Sequence, residues 1–148
     1  MHPNSNTKTY ALILGTGVTN GATVTANIDT LGFDHVALDV IMGTADVVSN
    51  KPSVLKLAES DDTVVTNFAD VTAFVGGGTG GFTIPSADTS NANIYRLNVD
   101  CRARKRYLRL SVSPRTTQAV VIDARLGRPE VSADTSTSVS GTQTLVNG

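Results

Sequence analysis

The clearest pattern along this chain of 148 residues is a short-range alternation of apolar and polar side chains. Side chains of a β-strand point to opposite faces of a sheet in turn, so strict alternation predicts a strand with one buried face. Four runs show it, at residues 36–42, 94–101, 105–113 and 119–126. The side chains predicted to face the core are Val36, Leu38, Val40 and Met42; Tyr95, Leu97, Val99 and Cys101; Leu108, Leu110 and Val112; and Val120, Ile122, Ala124 and Leu126.

Weaker strand signals fill much of the remaining chain. They lie at residues 10–14, 22–28, 54–59 and 63–68. Turn-forming pairs separate the runs, among them Asn20-Gly21, Leu31-Gly32 and Ser113-Pro114. About eight short strands at this spacing predict an all-β protein, a jelly-roll-like antiparallel β-sandwich.

One segment fits two kinds of local structure. Asn67 is a suitable N-cap for a short helix that would carry Phe68, Val71 and Val75 on one face. The same stretch overlaps the strand signal at residues 63–68, so both alternatives stay open on the sequence alone. Elsewhere no helix of three or more turns alternates with the strands, and a doubly wound parallel sheet is not expected.

Composition and charge narrow the class of protein. Hydrophobic residues make up 40% of the chain and charged residues 17%, which is typical of one folded domain and not of a disordered or membrane protein. Twelve basic residues against thirteen acidic ones leave a net charge of -1, so no overall positive field attracts nucleic acid or a membrane surface. The single cysteine excludes an internal disulfide and a cysteine zinc cluster.

The two ends of the chain differ from its middle. They are rich in Ser, Thr, Asn and Gly and too poor in apolar residues to build a core. We therefore predict an N-terminal arm at residues 1–9, a β-sandwich domain at 10–129 and an extended C-terminal arm at 130–148. Such arms can become ordered on a partner by adding a strand to an exposed sheet edge. The N-terminus lacks the basic start and apolar core of a secretory signal, so the protein is expected to appear first in a reducing cytosol.

Glycine and histidine offer little for catalysis. Gly15-Thr16-Gly17 lacks the third glycine and the following helix of a dinucleotide site. The glycine run at residues 76–81 lacks the Gly-Lys-Ser/Thr ending of a phosphate-binding loop and is expected to be a flexible loop. A nucleophilic triad would have to use His35, close in space to Glu59 or Asp39.

The acidic run Glu59, Asp61 and Asp62 has the composition of a weak metal site. Its spacing does not match the twelve-residue calcium loop, and Asp after Ser is ordinary turn chemistry, so a turn is expected. Cys101 lies on an apolar strand face, where cysteine behaves as a small buried hydrophobe. No catalytic, cofactor-binding or metal-binding residue is predicted.

The densest charge of the chain follows the second alternating run, at residues 94–101, and continues into the third. Its basic side chains are Arg102, Arg104, Lys105, Arg106 and Arg109. Three interpretations stay open: a solvated strand face, a surface that docks an acidic protein partner, and a phosphate-binding patch on which Tyr107 stacks a base. The balanced net charge argues against the third. These five residues are the candidate partner-binding set.

Several segments occur together in an order and spacing typical of one protein family. They are Gly32-Phe33-Asp34-His35-Val36-Ala37-Leu38; Val54-Leu55-Lys56-Leu57-Ala58-Glu59-Ser60-Asp61-Asp62, followed by Phe68-Ala69-Asp70-Val71; Lys105-Arg106-Tyr107-Leu108-Arg109-Leu110; and Leu126-Gly127-Arg128-Pro129. Together, over residues 20–129, they resemble the capsid decoration, or cement, proteins of tailed bacteriophages, in particular those of short-tailed phages.

The resemblance implies a jelly-roll-like domain that binds the outside of an icosahedral head and bridges neighbouring major capsid proteins. It implies a homo-oligomer, with a dimer favoured over a trimer, located on the outer capsid surface of the virion. It implies no catalysis, no cofactor, and no small-molecule, nucleic-acid or membrane partner. We expect the five basic residues to supply part of the docking charge and the arms to become ordered against neighbours.

The main alternative is a carbohydrate-binding or fibre-type β-sandwich module of a virion. Such modules commonly use exposed aromatic side chains, and here Trp is absent, which leaves Tyr10, Tyr95 and Tyr107. An enzyme that depends on His35 and an internal head protein that contacts the genome are further alternatives.

Overall fold

Two β-sheets make up nearly all of the structure. The computed structural model of the chain describes residues 7–129, without the side chains of residues 11 and 129. Its strands are β1 (Thr7–Val18), β2 (Val24–Asp29), β3 (Phe33–Met42), β4 (Val54–Ser60), β5 (Ala69–Val75), β6 (Asn93–Asp100), β7 (Tyr107–Ser113) and β8 (Gln118–Pro129). Two short 3-10 turns, Val65–Asn67 and Cys101–Ala103, accompany them. Within this part of the chain no helix is long and apolar enough to cross a membrane. The predicted all-β class is confirmed.

The strands form two four-stranded sheets that pack face to face. Sheet A has the order β1-β8-β3-β6 and sheet B the order β2-β7-β4-β5, with antiparallel pairing throughout. Most consecutive strands lie in opposite sheets, so the chain winds back and forth across the sandwich. This is the strand order of an eight-stranded jelly roll, as predicted. The edge strands are β1 and β6 in sheet A and β2 and β5 in sheet B.

The core lies between the sheets and consists of the alternating side chains that the sequence singled out. Every predicted core residue on β3, β6, β7 and β8 is buried, and none of them is more than 8% exposed. Val36 and Val120 are fully buried. Apolar side chains of β2 and β4, such as Ile28 and Leu57, complete the packing from sheet B. Removal of this apolar surface from water is the main source of the stability of the fold.

The chain between β4 and β5 departs from both sequence-based alternatives. The predicted strand at residues 63–68 is wrong, because this stretch is a turn in which the Asp62 carboxylate accepts a hydrogen bond from the Asn67 side chain (2.8 Å). The predicted helix is also wrong, because its residues form β5, which pairs with β4 and places Asp70 opposite Ala58. Pairing with a neighbouring strand outweighs the local helical signal.

Two predicted turns depend on glycine backbone conformation. Gly21 follows β1 with a φ of 77°, and Gly32 joins β2 to β3 with a φ of 81°. Positive φ is strained for residues with a side chain and accessible to glycine. The Asn20-Gly21 and Leu31-Gly32 pairs therefore predict these turns correctly.

The described residues include only a small part of the two predicted arms. β1 begins at Thr7, so the last three residues of the predicted N-terminal arm belong to a strand. The rest of that arm, residues 1–6, lies outside the described residues, as does the predicted C-terminal arm at 130–148. β8 is described as far as Pro129, the last described residue.

Candidate interaction surface

The residues that an active site would need lie apart from one another. His35 is on β3, where it lies opposite Asp100 of β6 at one end of sheet A. Asp39 is four residues further along the same strand, or about 13 Å at 3.3 Å per residue. Glu59 is on β4 of the opposite sheet. Among residues 7–129, no three His, Cys, Asp or Glu side chains are arranged to hold a metal ion.

Asp61 and Asp62 lie in a turn, as predicted, whereas Glu59 lies within β4, and the three carboxylates have separate partners. Glu59 lies 3.6 Å from the guanidinium of Arg104, and Asp61 lies 2.9 Å from the Lys105 ammonium. Asp62 belongs to the turn before β5, where a hydrogen bond from an asparagine side chain is the main cause that lowers its pKa. The three carboxylates therefore do not converge on a shared proton or cation.

Cys101 is buried at the end of β6, as predicted. Its side chain is 8% exposed, and its thiol donates a long hydrogen bond (3.8 Å) to the Val99 carbonyl. Burial raises the pKa of the thiol to about 11. The reactive thiolate form is therefore strongly disfavoured, and the side chain acts as a core residue.

Each of the five candidate docking residues has a partner within the molecule. The ion pairs are Arg102 with Asp100 (2.5 Å), Arg104 with Glu59 (3.6 Å), Lys105 with Asp61 (2.9 Å) and Arg106 with Asp29 (2.7 Å). Arg109 donates to Asn27 (2.9 Å), and its guanidinium lies 4.0 Å from the centre of the Phe68 ring. A docking partner would therefore compete with contacts that are already in place.

A row of aliphatic side chains crosses all four strands on the outer face of sheet A. Leu14 of β1 lies opposite Val121 of β8, Val121 lies opposite Ile41 of β3, and Ile41 lies opposite Ile94 of β6. We call these four residues the aliphatic row. Leu14 is 80% exposed and Ile94 is 64% exposed, whereas the two central residues are half-buried. At about 4.8 Å between strands the row is about 14 Å long, and contiguous exposed apolar surface marks interaction sites.

Charged side chains lie beside the aliphatic row, two residues further along each of three strands. Arg96 donates hydrogen bonds through two nitrogens to Asp39 (2.6 and 2.7 Å), and these bonds lower the pKa of that carboxyl. Asp123 lies directly opposite Asp39. Burial raises the pKa of Asp123. The positive charge of Arg125 lowers this pKa, and the negative charge of Asp39 raises it. The aliphatic row is therefore bordered by one paired and one poorly solvated carboxylate.

A groove of about 400 Å³ runs along the open side of the sandwich, between the edge strands β5 and β6. We call it the β5–β6 groove. Its apolar lining comes from Leu55, Phe74, Phe82, Pro85 and Leu97. Ile94 lies at the groove as well, so the groove continues the apolar surface of the aliphatic row. No strand among the described residues pairs with the outer edge of β6.

Tyr95 lines the β5–β6 groove and carries an unpaired polar group. The residue is 8% exposed, and its hydroxyl oxygen is buried with no hydrogen-bond partner among the described residues. Burial also raises the pKa of this hydroxyl. A buried hydroxyl without a hydrogen-bond partner costs free energy, so Tyr95 is an unusual residue in this part of the core.

The other two tyrosines do not form open aromatic surfaces. The ammonium of Lys8 lies 4.6 Å from the centre of the Tyr10 ring, and the guanidinium of Arg106 lies 4.8 Å from that of Tyr107. Cation–π contacts of this kind occupy the ring faces that a sugar or a base would otherwise use.

The aliphatic row and the β5–β6 groove were missed by the sequence-based analysis. A signal for the row exists, because Ile41, Ile94 and Val121 are apolar at the outward positions of alternating strands. Their alignment depends on the register between four strands that are distant in the chain, which local patterns do not contain.

Comparisons with known proteins do not identify a family for this chain. No protein-family model matches it, and no curated protein sequence matches it. Among solved structures, BuGH86wt in complex with neoagarooctaose is 12% identical with a TM-score of 0.41; the match covers 81% of this chain and 19% of the other. A family 35 carbohydrate binding module from Clostridium thermocellum is 12% identical with a TM-score of 0.37, covering 83% and 94%. Matches this distant carry no argument about what this chain binds.

Proposed function

We propose that this protein is a non-catalytic structural component of a virion that decorates the outside of an icosahedral phage head. As a homo-oligomer it bridges neighbouring major capsid proteins and cements the shell. The aliphatic row carries this proposal, because a line of aliphatic side chains that crosses all four strands and is exposed at both ends is suited to docking on another protein. The ordered sequence segments that resemble phage decoration proteins support the choice of partner.

The surroundings of the aliphatic row suit a protein interface. Such interfaces combine an apolar centre with a polar rim in which arginine is enriched. The side chain of Arg96 is 58% exposed beside the row, and it keeps its charge paired with Asp39. A partner can therefore cover this ion pair without burying an isolated charge at it, which would be costly.

The five basic residues have a smaller role in this proposal. Because each already has an intramolecular partner, they add little to the affinity for an acidic surface. Exposed charges generally change association rates and specificity more than affinity. Their docking role, predicted from the sequence, stays a prediction.

Decoration stabilises a shell through simple linkage. A protein that binds the assembled lattice and not its free subunits shifts the equilibrium toward assembly by mass action. An oligomer that contacts two neighbouring subunits gains further through effective concentration. Neither effect requires a reactive group.

The proposal is tested by adding the purified full chain to undecorated phage heads and sedimenting them. We expect co-sedimentation that saturates at a fixed ratio of this protein to the major capsid protein. Heads that already carry their decoration protein serve as the control and should bind little more. Absence of binding, or binding that never saturates, contradicts the proposal.

Carbohydrate binding is the second candidate, and the β5–β6 groove is the observation that favours it. Jelly rolls serve as both capsid and lectin domains, so the fold alone does not separate the two candidates. Phe74 and Phe82 line this groove and provide aromatic surface for a sugar. A glycan array supports this candidate if it gives hits that a Phe82→Ala variant loses.

A further inference from the structure

We propose that the C-terminal segment, residues 130–148, docks on the β6 edge of its own molecule as an added strand and covers the β5–β6 groove. The proposal does not rest on the capsid role, because it concerns how one molecule completes its own sandwich. It also departs from the expectation, based on sequence alone, that this segment becomes ordered against a neighbour.

The receiving site is an open strand edge above an apolar groove. β6 ends the order of sheet A, so the backbone groups on its outer side have no strand partner among residues 7–129. An extended peptide that pairs with such an edge gains main-chain hydrogen bonds, and its alternate side chains enter the adjoining groove. The β5–β6 groove, with Phe74 and Phe82 in its wall, offers that apolar contact. Unprotected edges also invite aggregation, so a covering strand serves a second purpose.

The length and starting point of the segment allow it to reach this edge. β8 ends opposite Phe33 of β3, at the same end of sheet A where His35 of β3 lies opposite Asp100 of β6. A strand added outside β6 would lie three strand spacings from β8, or about 14 Å. At about 3.3 Å per residue, roughly five residues cross that distance. The remaining residues of the segment exceed the eight residues of β6.

The direction of the chain is also suitable. β8 is antiparallel to β3, and β3 is antiparallel to β6, so β6 runs parallel to β8. A segment that turns back after β8 therefore runs antiparallel to β6. Antiparallel pairing needs only a short connection, which is what this route provides.

The sequence of the segment has the pattern of an edge strand. Valine, alanine and threonine occupy every second position from 131 to 139 and alternate with serine and aspartate. Beyond the roughly five residues of the crossing, the residues of this face are Thr135, Thr137 and Val139. β-branched side chains are favoured in strands, and the absence of proline from residues 130–148 leaves every amide able to donate.

The chemistry of the groove matches that face. Tyr95, which lines the groove, has a buried hydroxyl with no hydrogen-bond partner among residues 7–129, and threonine supplies a hydroxyl that both donates and accepts. The methyl groups of the same face suit the ring and aliphatic wall around it. The serine face would then point to solvent, beside the exposed outer side chains of β6.

Hydrogen exchange of the full chain, compared with a chain that ends at residue 129, tests the proposal. We expect the outward-facing amides of β6 to exchange at least about tenfold faster in the shortened chain. Amides of β3 and β8, which are paired on both sides, should exchange at the same rate in both chains. Equal β6 exchange rates in the two chains would overturn the proposal.

A pair of point variants in the full chain provides a test that does not depend on the truncation. Val139→Asp places a charge on the face that enters the groove and should reproduce the faster exchange of β6. Ser138→Asp adds the same charge on the opposite face and should leave the exchange unchanged. Equal effects of the two variants would contradict the predicted orientation.

Disulfide trapping identifies the source of the strand. Asn98→Cys is combined in turn with Ser136→Cys, Ser138→Cys and Ser140→Cys, and each protein is oxidised at low concentration. We expect at least one pair to give a cross-linked monomer, whereas Thr25→Cys on sheet B with the same partners gives none. Cross-linked dimers would overturn docking within one molecule and show exchange between copies.

Glycan binding that is unchanged by truncation and lost with Phe82→Ala would assign the groove to a sugar instead.

Discussion

Two opposed aspartates dominate the electrostatics of the outer face of sheet A. Asp39 and Asp123 face each other across β3 and β8, but only Asp39 has a bidentate arginine partner. Burial accordingly raises the pKa of Asp123 and opposes its charged form. When folding raises the pKa of a carboxyl, the fold favours the protonated form over the charged form. The contribution of this group to stability is therefore complete below its unfolded pKa of about 3.9, and it is lost as the pH rises through the folded-state pKa.

We predict that Asp123→Asn stabilises the protein at neutral pH. The amide removes a poorly solvated charge, and the gain should stay below about 1 kcal/mol because the site is partly open to solvent. Thermal unfolding at pH 7 should show a melting temperature higher by a few degrees, with the difference shrinking toward pH 3. Asp70→Asn, which removes a surface partner of Lys56, should give no such gain. A lower melting temperature for Asp123→Asn at pH 7 would refute this account.

Cys101 yields a second prediction at the level of single residues. With a thiol pKa of about 11, on the order of one molecule in a thousand carries the thiolate at pH 8. Burial adds a steric barrier, so a thiol-specific reagent should label the native protein at least about 100-fold more slowly than the urea-unfolded chain. Rapid labelling of the native protein at pH 8 would show that Cys101 is accessible and activated.

At the level of elements, the sequence predicts those strands that have one face in the core and the other toward solvent. The side chains of β3 alternate between the core and the outer face, so the local sequence pattern is enough to predict this strand. β5 is an edge strand with little buried surface, and Val71 is its one buried position among mostly exposed neighbours. Its pairing with β4 decides its structure, and that contact is not local. The aliphatic row and the β5–β6 groove also depend on contacts between distant parts of the chain, so local sequence patterns do not predict them.

The loop after β5 is an element whose geometry is checked by one substitution. A Cβ added at Gly81 would lie 1.9 Å from the Val75 carbonyl oxygen, so Gly81→Ala must displace backbone. Phe82, next in the chain, would then move from the groove wall. We expect a loss of about 1–3 kcal/mol in the free energy of unfolding, measured with urea.

Gly17→Ala is the matched control for that substitution, because nothing lies within 4 Å of the added carbon and its φ is not positive. Its stability should be unchanged or slightly raised, since alanine restricts the unfolded chain. A Gly81→Ala variant as stable as the Gly17→Ala variant would contradict the described loop geometry.

At the scale of the whole molecule, charge is balanced locally as well as globally. A net charge of -1 is accompanied by ion pairs that occupy four of the five basic residues in the candidate docking set. A surface of this kind exerts little long-range attraction, and its contacts depend on shape and apolar area. The fold provides that area on sheet A and leaves its two outermost residues in solvent.

Binding to phage heads should therefore depend weakly on salt. Between 50 and 500 mM NaCl we expect the dissociation constant to change by less than about fivefold, because apolar contact is not screened. Co-sedimentation at several salt concentrations gives the slope directly. A fall in affinity of a hundredfold or more would assign the binding to the basic residues instead of the aliphatic row.

The most direct measurement compares head binding by two matched double variants. Leu14→Glu with Ile94→Glu places charges at both ends of the aliphatic row, whereas Leu31→Glu with Val65→Glu changes two aliphatic residues of similar exposure away from it. Circular dichroism should show that both proteins remain folded. Co-sedimentation with undecorated heads should be at least tenfold weaker for the first variant and unchanged for the second. Full binding by the first variant, or equal loss by both, would contradict the proposed role of this face.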